Sequence, residues 1–293
     1  MKARCVLQAQ AGLAEGPHWW AEKGVLLWVD IEASRVGLFD PVTGRNRFLV
    51  VPSHVGAVVP MSDGELLVAT AQGFVRLHPD SGVVSSLHDP EHDQPGNRFN
   101  DGKCDPWGRF WAGSMAYDFA SGAGSLWRVN ADFSCVRQRQ GLTISNGLAW
   151  SQDRGTLYLI DSPTRQVLAF PLTPSGDLSG EATPCITIPE AWDALPDGMC
   201  IDAEGKLWIA LFGGGAVTRW DPVSGLLLER LELPCRQVTS CCFGGPNLDQ
   251  LFVTTARQEM DAAAIKAEPL AGGLFQADVG VKGLAAACFQ VGG

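Results

Sequence analysis

The 293-residue chain is poor in charge, 18% Asp, Glu, Lys and Arg, and the balance is acidic: 22 basic against 32 acidic side chains, 22 − 32 = −10. It has no Lys/Arg-rich run, and its pI is near 4.9. Nucleic-acid binding rests on a basic footprint that releases counterions, so a nucleic-acid partner is excluded. There is no CxxC pair, and nine cysteines, with Cys241 and Cys242 adjacent, make no disulfide framework. They read as reduced thiols. Nor is there a long apolar run. After Met1 to Arg4 the stretch Cys5, Val6, Leu7 is broken by Gln8 and Gln10, short of a secretory core and of the ~20 apolar residues of a membrane span. These absences point to a cytoplasmic protein with no membrane partner.

Familiar catalytic signatures are missing as well. There is no GxSxG elbow, no P-loop and no GxGxxG, so a serine hydrolase, a nucleotidase and a Rossmann enzyme are without a motif. The five histidines show no HExxH or paired spacing; His18 and His54 are candidates for the mouth of a site. What is abundant is glycine, 34 residues, beside 46% hydrophobic residues. That balance suits many buried strands joined by tight turns, an all-β class.

A short pattern recurs six times: a turn ending in Gly or Asp, then a strand with a bulky residue three positions on. The copies are Gly24 to Asp30, Gly64 to Thr70, Gly108 to Ser114, Gly155 to Asp161, Gly205 to Leu211 and Asp249 to Thr255, with starts 40, 44, 47, 50 and 44 residues apart. Each is preceded by a further strand and followed by a hairpin with a Gly, Pro or Asp turn, such as Leu38 to Gly44 or Thr218 to Gly225. Four antiparallel strands per unit and six units predict a six-bladed β-propeller, one domain over residues 1–293. Two stacked sandwiches are the alternative, but no Pro/Ser-rich linker interrupts the spacing. Ring closure needs a strand shared across the termini, and Ala3 to Gln8 and Leu284 to Gln290 are both expected as outer strands.

Equivalent positions on the innermost strands must converge on the axis. Counting back from each repeat gives Glu15, Gly56, Asn100, Asn146, Asp197 and Ser240 or Cys241. Four of these six carry oxygen donors, with a glycine one or two residues later in each case. Carboxylate and amide oxygens without sulfur or imidazole suit a hard divalent cation, Ca²⁺, Mg²⁺ or Mn²⁺, with Zn²⁺ or Fe²⁺ also served. One such Asx residue would simply cap a turn. Four in matching register, two of them acidic in a narrow channel, point to a cation. Cys104, Cys200 and Cys241 follow these positions and are expected to pack between blades.

Taken together, Glu15-Gly-Pro-His-Trp19, Arg98-Phe-Asn-Asp-Gly-Lys103, Ile144-Ser-Asn-Gly-Leu148, Pro196-Asp-Gly-Met199 continuing to Trp208, and Thr239 to Gly245 resemble the regucalcin (senescence marker protein) and gluconolactonase family. The likeness runs from about Leu13 to Gly283. It implies a six-bladed propeller that holds one divalent metal on its axis and hydrolyses sugar lactones. Carried over residue by residue, the resemblance implies Glu15, Asn146 and Asp197 as metal ligands, and Arg98, Asn100 and Asp118 as contacts to sugar hydroxyls.

On that reading the metal polarises the lactone carbonyl and Asp197 is the general base, with Asp101 in reserve. Arg98 and Asn100, alternate residues of an extended segment, point to one side together. Trp19 and Phe99 are candidates for an apolar face under the sugar ring, against the commoner role of aromatic residues as core filler. The expected activity is metal-dependent opening of an aldonolactone such as glucono-, galactono-, arabinono- or xylonolactone. The alternatives are hydrolysis of another ester-like substrate and a non-catalytic calcium-binding propeller.

Overall fold

The turns that begin each second strand explain the glycine repeat. Gly24, Gly64, Gly108 and Gly205 lie at φ of 63°, 87°, 81° and 73°, where any side chain is strained. In the fourth and sixth copies Arg154 and Leu248, just ahead of the repeat, take the left-handed conformation instead, at 61° and 55°. The strands that follow are among the most buried in the chain, and Trp28, Trp111 and Trp208 on them are fully enclosed.

A computed structural model describes residues 1–292. It contains six four-stranded antiparallel sheets arranged as a six-bladed propeller. The innermost strands, in blade order, are Ala14–Trp20, Val55–Pro60, Asn97–Cys104, Ser145–Trp150, Leu195–Ile201 and Val238–Gly244. Blades 1 to 5 use consecutive strands, whereas the sixth takes Arg4–Leu7 as its outer strand beside Leu274–Asp278, with Cys5 opposite Phe275. The amino-terminal half of the closure is therefore as expected.

The carboxy-terminal half is not: Leu284 to Gln290 forms no outer strand. Arg4–Leu7 already fills the only open edge of the sixth blade, so the tail has nothing there to pair with. It runs instead as a strap across one end of the propeller. Gly283 bridges to Asp202 and Phe289 runs parallel to Met61, while Gln290 N–H donates to the Gly108 carbonyl. Phe289 is fully buried against Phe133, with ring centroids 5.4 Å apart, which ties the strap down.

The hydrophobic core consists of six clusters, one between each pair of neighbouring blades. Both faces of every sheet are thus covered without a central apolar core, and the axis is left free for polar groups. Cys200 and Cys241 pack in the cluster between blades 5 and 6, and Cys104 in that between blades 2 and 3, as expected of buried thiols.

Two fully buried aspartates hold blades 3 and 5 together in the same way. Asp105 accepts from the backbone of Trp107 and Arg109 and from Trp111 Nε1 at 2.8 Å. Asp202 accepts from Glu204 N, Lys206 N, Trp208 Nε1 at 3.0 Å and Arg219 Nε at 2.8 Å. Removing a buried carboxylate leaves its donors and the guanidinium unpaired. Asp202→Ala should therefore lower unfolding free energy by about 3–5 kcal/mol, read by denaturant titration.

The inner strands share one further feature. Each has a break in ladder register at the same height, between Glu15 and His18, Val55 and Ala57, Phe99 and Gly102, Ser145 and Leu148, Pro196 and Met199, and Val238 and Ser240. Such bulges re-aim side chains that a regular strand would direct between the blades. Here they open towards the axis.

Candidate active site

Glycine lets the bulged segments meet. A Cβ on Gly56 would sit 2.2 Å from the Asn100 carbonyl oxygen, and one on Gly147 would sit 2.7 Å from that of Asp197. Neighbouring inner strands therefore approach backbone to backbone, and the side chains beside these glycines are crowded into one small volume. Glu15, Asn100, Asn146 and Asp197 all reach a cavity of about 460 Å³ at one end of the channel, and Arg98 joins them. All five are buried, each with at most 9% of its surface exposed.

The hydrogen bonds are sparse for groups so deep. Asn146 Nδ2 donates to Asp197 Oδ1 and, at 3.2 Å, to Ser162 Oγ, whereas Asn146 Oδ1 is buried with no partner. Glu15 Oε2 accepts from its neighbour's backbone, Gly16 N, at 2.7 Å, and the Glu15 and Asp197 carboxyls lie within hydrogen-bonding reach of each other. Asp101 lies outside the cavity lining, with Oδ1 on Gly102 N and Oδ2 unpartnered. None of the three carboxylates is in an ion pair among the described residues.

Burial pushes the Glu15 carboxyl well above its ordinary range, and the negative charges of Asp197 and Asp101 push it further. Asp197 is driven up to about 8, by burial first, with the Asn146 amide opposing the rise. Burial likewise raises Asp101. Carboxylates forced towards neutrality beside an amide oxygen with nothing to accept from form an oxygen-donor set that lacks a compensating charge at hydrogen-bonding distance.

That donor set fits a hard divalent ion. No cluster of three or more His, Cys, Asp or Glu suited to a metal occurs among the described residues, so such an ion must draw on the Asn146 amide.

Arg98 and Asn100 form a fixed pair at the cavity wall. Arg98 Nη1 donates to Asn100 Oδ1 at 2.8 Å and to the Phe99 carbonyl at 3.1 Å, and Asn100 Nδ2 donates across to the Ser145 carbonyl of the next blade at 3.0 Å. Their shared orientation was legible from strand alternation. Asp118 is placed differently from these five. It lies exposed in the loop after Phe110–Ala116, accepts from Ala120 N at 3.1 Å, and the cavity wall there is Phe119.

Trp19 and Phe99 take the commoner core role weighed for them, and the expectation for His18 needs correction. Trp19 stacks on Phe252 in the core between blades 6 and 1, with centroids 5.9 Å apart, and Phe99 packs on Phe74 at 4.6 Å between blades 2 and 3. Both point into blade interfaces because a residue beside an axial one alternates away from the axis. The aromatic side chains that line the cavity are Phe119 and Phe212 instead. His18, expected at the mouth, sits beyond the bulge at the opposite end of the channel. His54 is near the mouth loop, its Nδ1 3.1 Å from the Tyr117 hydroxyl.

His18 is buried near Lys103, and burial followed by that positive charge lowers it to about 3. The unfolded chain takes up the proton near 6.5, so the stability that neutral His18 contributes is present above that value and lost as pH falls towards 3. Between about pH 7 and pH 5 the wild type should lose about 2 kcal/mol more unfolding free energy than His18→Gln, measured by denaturant titration at each pH.

Sequence reasoning missed most of the rim. Leu195 opens an inner strand, Phe212 closes a second strand, Gln237 precedes an inner strand and Glu259 lies in the loop between a second and a third strand, all positions where the repeat imposes no pattern. It also missed Glu91, buried and accepting from Ser114 Oγ at 2.6 Å, Trp127 Nε1 at 2.7 Å and Asn97 Nδ2 at 3.0 Å, which fixes the segment leading to Arg98. Asp161, accepting from the Thr143 and Ile144 amides ahead of Asn146, was recoverable: the repeat also ends in aspartate at Asp30.

Fold and site together define a six-bladed propeller with an acid–amide cluster on its axis. The chain belongs to the SMP-30/gluconolactonase/LRE-like family, whose region matches residues 13–257. It is 39% identical over 277 residues, 94% of each chain, to the Bacillus subtilis protein that carries the name sugar lactone lactonase YvrE. It is 38% identical to regucalcin of Xenopus laevis, over 99% of this chain and 98% of that one. Among solved structures it is similar to the calcium-binding protein regucalcin of Agrobacterium tumefaciens, with TM-score 0.94, 31% identity and coverage of 99% and 97%.

Proposed function

We propose that the protein hydrolyses a sugar lactone to the corresponding sugar acid, with one divalent cation held by Glu15, Asn146 and Asp197. The observation that carries this is the unpartnered Asn146 Oδ1 in one cavity with two buried carboxylates that form no salt bridge among the described residues. A full-length relative named as a sugar lactone lactonase supports the substrate class. A bound divalent ion supplies Lewis-acid polarisation of the lactone carbonyl.

The chain's own residues do the rest. Arg98 keeps guanidinium N–H groups beyond those spent on Asn100 and Phe99, and these donate to the polyol. The bond from Asn100 to the Ser145 carbonyl locks both donors in place before substrate arrives, which lowers the entropic cost of orientation. Asp197, on the cavity wall, takes the proton from the attacking water. Phe119 and Phe212 limit water at the ring face. Asp118, at the rim, contacts an outer hydroxyl of the sugar.

The test is a panel of aldonolactones with Ca²⁺, Mg²⁺, Mn²⁺, Zn²⁺ or Fe²⁺ added to chelator-stripped protein, read as kcat/KM by proton release. Stripped protein should lose at least a hundredfold in turnover and regain it on addition of one ion per chain. Full turnover without the ion refutes the metal's role. A calcium-binding propeller without turnover is the second reading, supported by the calcium-binding description of the Agrobacterium regucalcin. It predicts stoichiometric Ca²⁺ uptake with every lactone left intact.

A further inference from the structure

At the opposite end of the channel from the acidic cluster lies a second cavity, of about 450 Å³, roofed by residues 284–287 of the carboxy-terminal strap. Its size falls in the range of small-molecule sites. Its electrostatics are the reverse of the first. No aspartate or glutamate lines it, although the chain carries a net charge of −10, and both Lys103 and Arg154 do.

Neither cation has an ion-pair partner among the described residues. Lys103 Nζ donates to the Met199 carbonyl at 2.6 Å, which uses one of its three N–H groups. The Arg154 guanidinium has a ring face, that of Trp107 at 5.9 Å, and no side-chain hydrogen bond. Beyond the through-space attraction of Asp101, which does not line the cavity, the half-buried Lys103 ammonium has no counterion, and an anion entering the cavity would reduce the cost of its charge. The rest of the wall is largely apolar, with Trp150, Phe243, Ile201 and Leu284 beside the polar Ser151 and Gln152, and neutral His18 lies near Lys103.

We infer that this cavity binds a small organic anion, its carboxylate or phosphate head on Lys103 and Arg154 and its apolar body against Trp150, Phe243 and Leu284. The site is independent of lactone chemistry and uses none of the groups assigned to it. It is also distinct in ligand class. The axial end takes a cation and a polyol, while this end takes an amphipathic anion.

Isothermal titration with octanoate, octyl phosphate and neutral octanamide tests it. One anion should bind per chain at least tenfold more tightly than octanamide, and the tighter of the two anions identifies the head group. Lys103→Met should weaken binding at least tenfold. Arg154 is exposed, so Arg154→Gln will fold normally and should weaken binding at least threefold while leaving lactone turnover unchanged. Asp197→Asn should leave anion binding intact, which separates this site from the axial one. The inference is overturned if neither anion binds saturably, if octanamide binds equally well, or if Arg154→Gln binds as the wild type does.

Discussion

Asp197→Asn should reduce lactone turnover by about three orders of magnitude and, in metal-free protein, raise the melting temperature. The first effect combines loss of a general base, worth about 10²–10⁴-fold, with loss of an anionic ligand for the cation. The second follows from burial. Glu15, Asp101 and Asp197 are buried with no salt bridge among the described residues; Asp101 raises the cost of charging both Glu15 and Asp197, and Asp197 raises that of Glu15. Asparagine keeps the shape and still accepts the Asn146 Nδ2 hydrogen bond, while removing one source of repulsion. The exchange of stability for function is common at active sites. Proton-release kinetics and a melting curve on the same sample check both halves. Turnover within tenfold of wild type would remove Asp197 from the chemistry, and a lower melting temperature would refute the repulsion.

Gly56→Ala should damage the site although residue 56 carries no reacting group. The added Cβ would lie 2.2 Å from the Asn100 carbonyl oxygen and 2.6 Å from that of Phe99, both backbone atoms that cannot swing aside. The inner strands of blades 2 and 3 must separate, at a cost of about 1–3 kcal/mol in stability. Because Arg98 and Asn100 flank Phe99, their donors move with the strand. The expected result is a rise in KM of about tenfold or more together with a loss of several degrees in melting temperature. A control at Gly24, where a Cβ meets nothing within 4 Å, should leave KM unchanged.

The fold was readable because it repeats. Six copies of a turn and strand, at 40 to 50 residues, specify six blades, since each sheet has two apolar faces that only neighbouring blades can cover. The four oxygen-bearing axial positions came from the same register, and their convergence in the cavity follows from equivalence around a ring. Single residues beside them were less legible. His18 is three positions from Glu15, yet the bulge between them sends one to each end of the channel. Trp19 and Phe99 alternate into blade interfaces, where aromatic area stabilises most.

The tail carries the same lesson. Its residues suit a strand, and only the prior occupation of the last open edge by Arg4–Leu7 turns it into a strap. That strap in turn makes the second cavity, of which no motif gives notice.

Sequence by itself determined the number of blades and the set of carboxylates and amides that meet on the axis, because periodic patterning is local and repeats. Tertiary structure alone decided which groups lie unpaired, which end of the channel each side chain faces, and how the loops close the rim. Those properties depend on contacts between blades far apart in the chain, where bulges and crowding glycines, not hydrophobic period, set the direction.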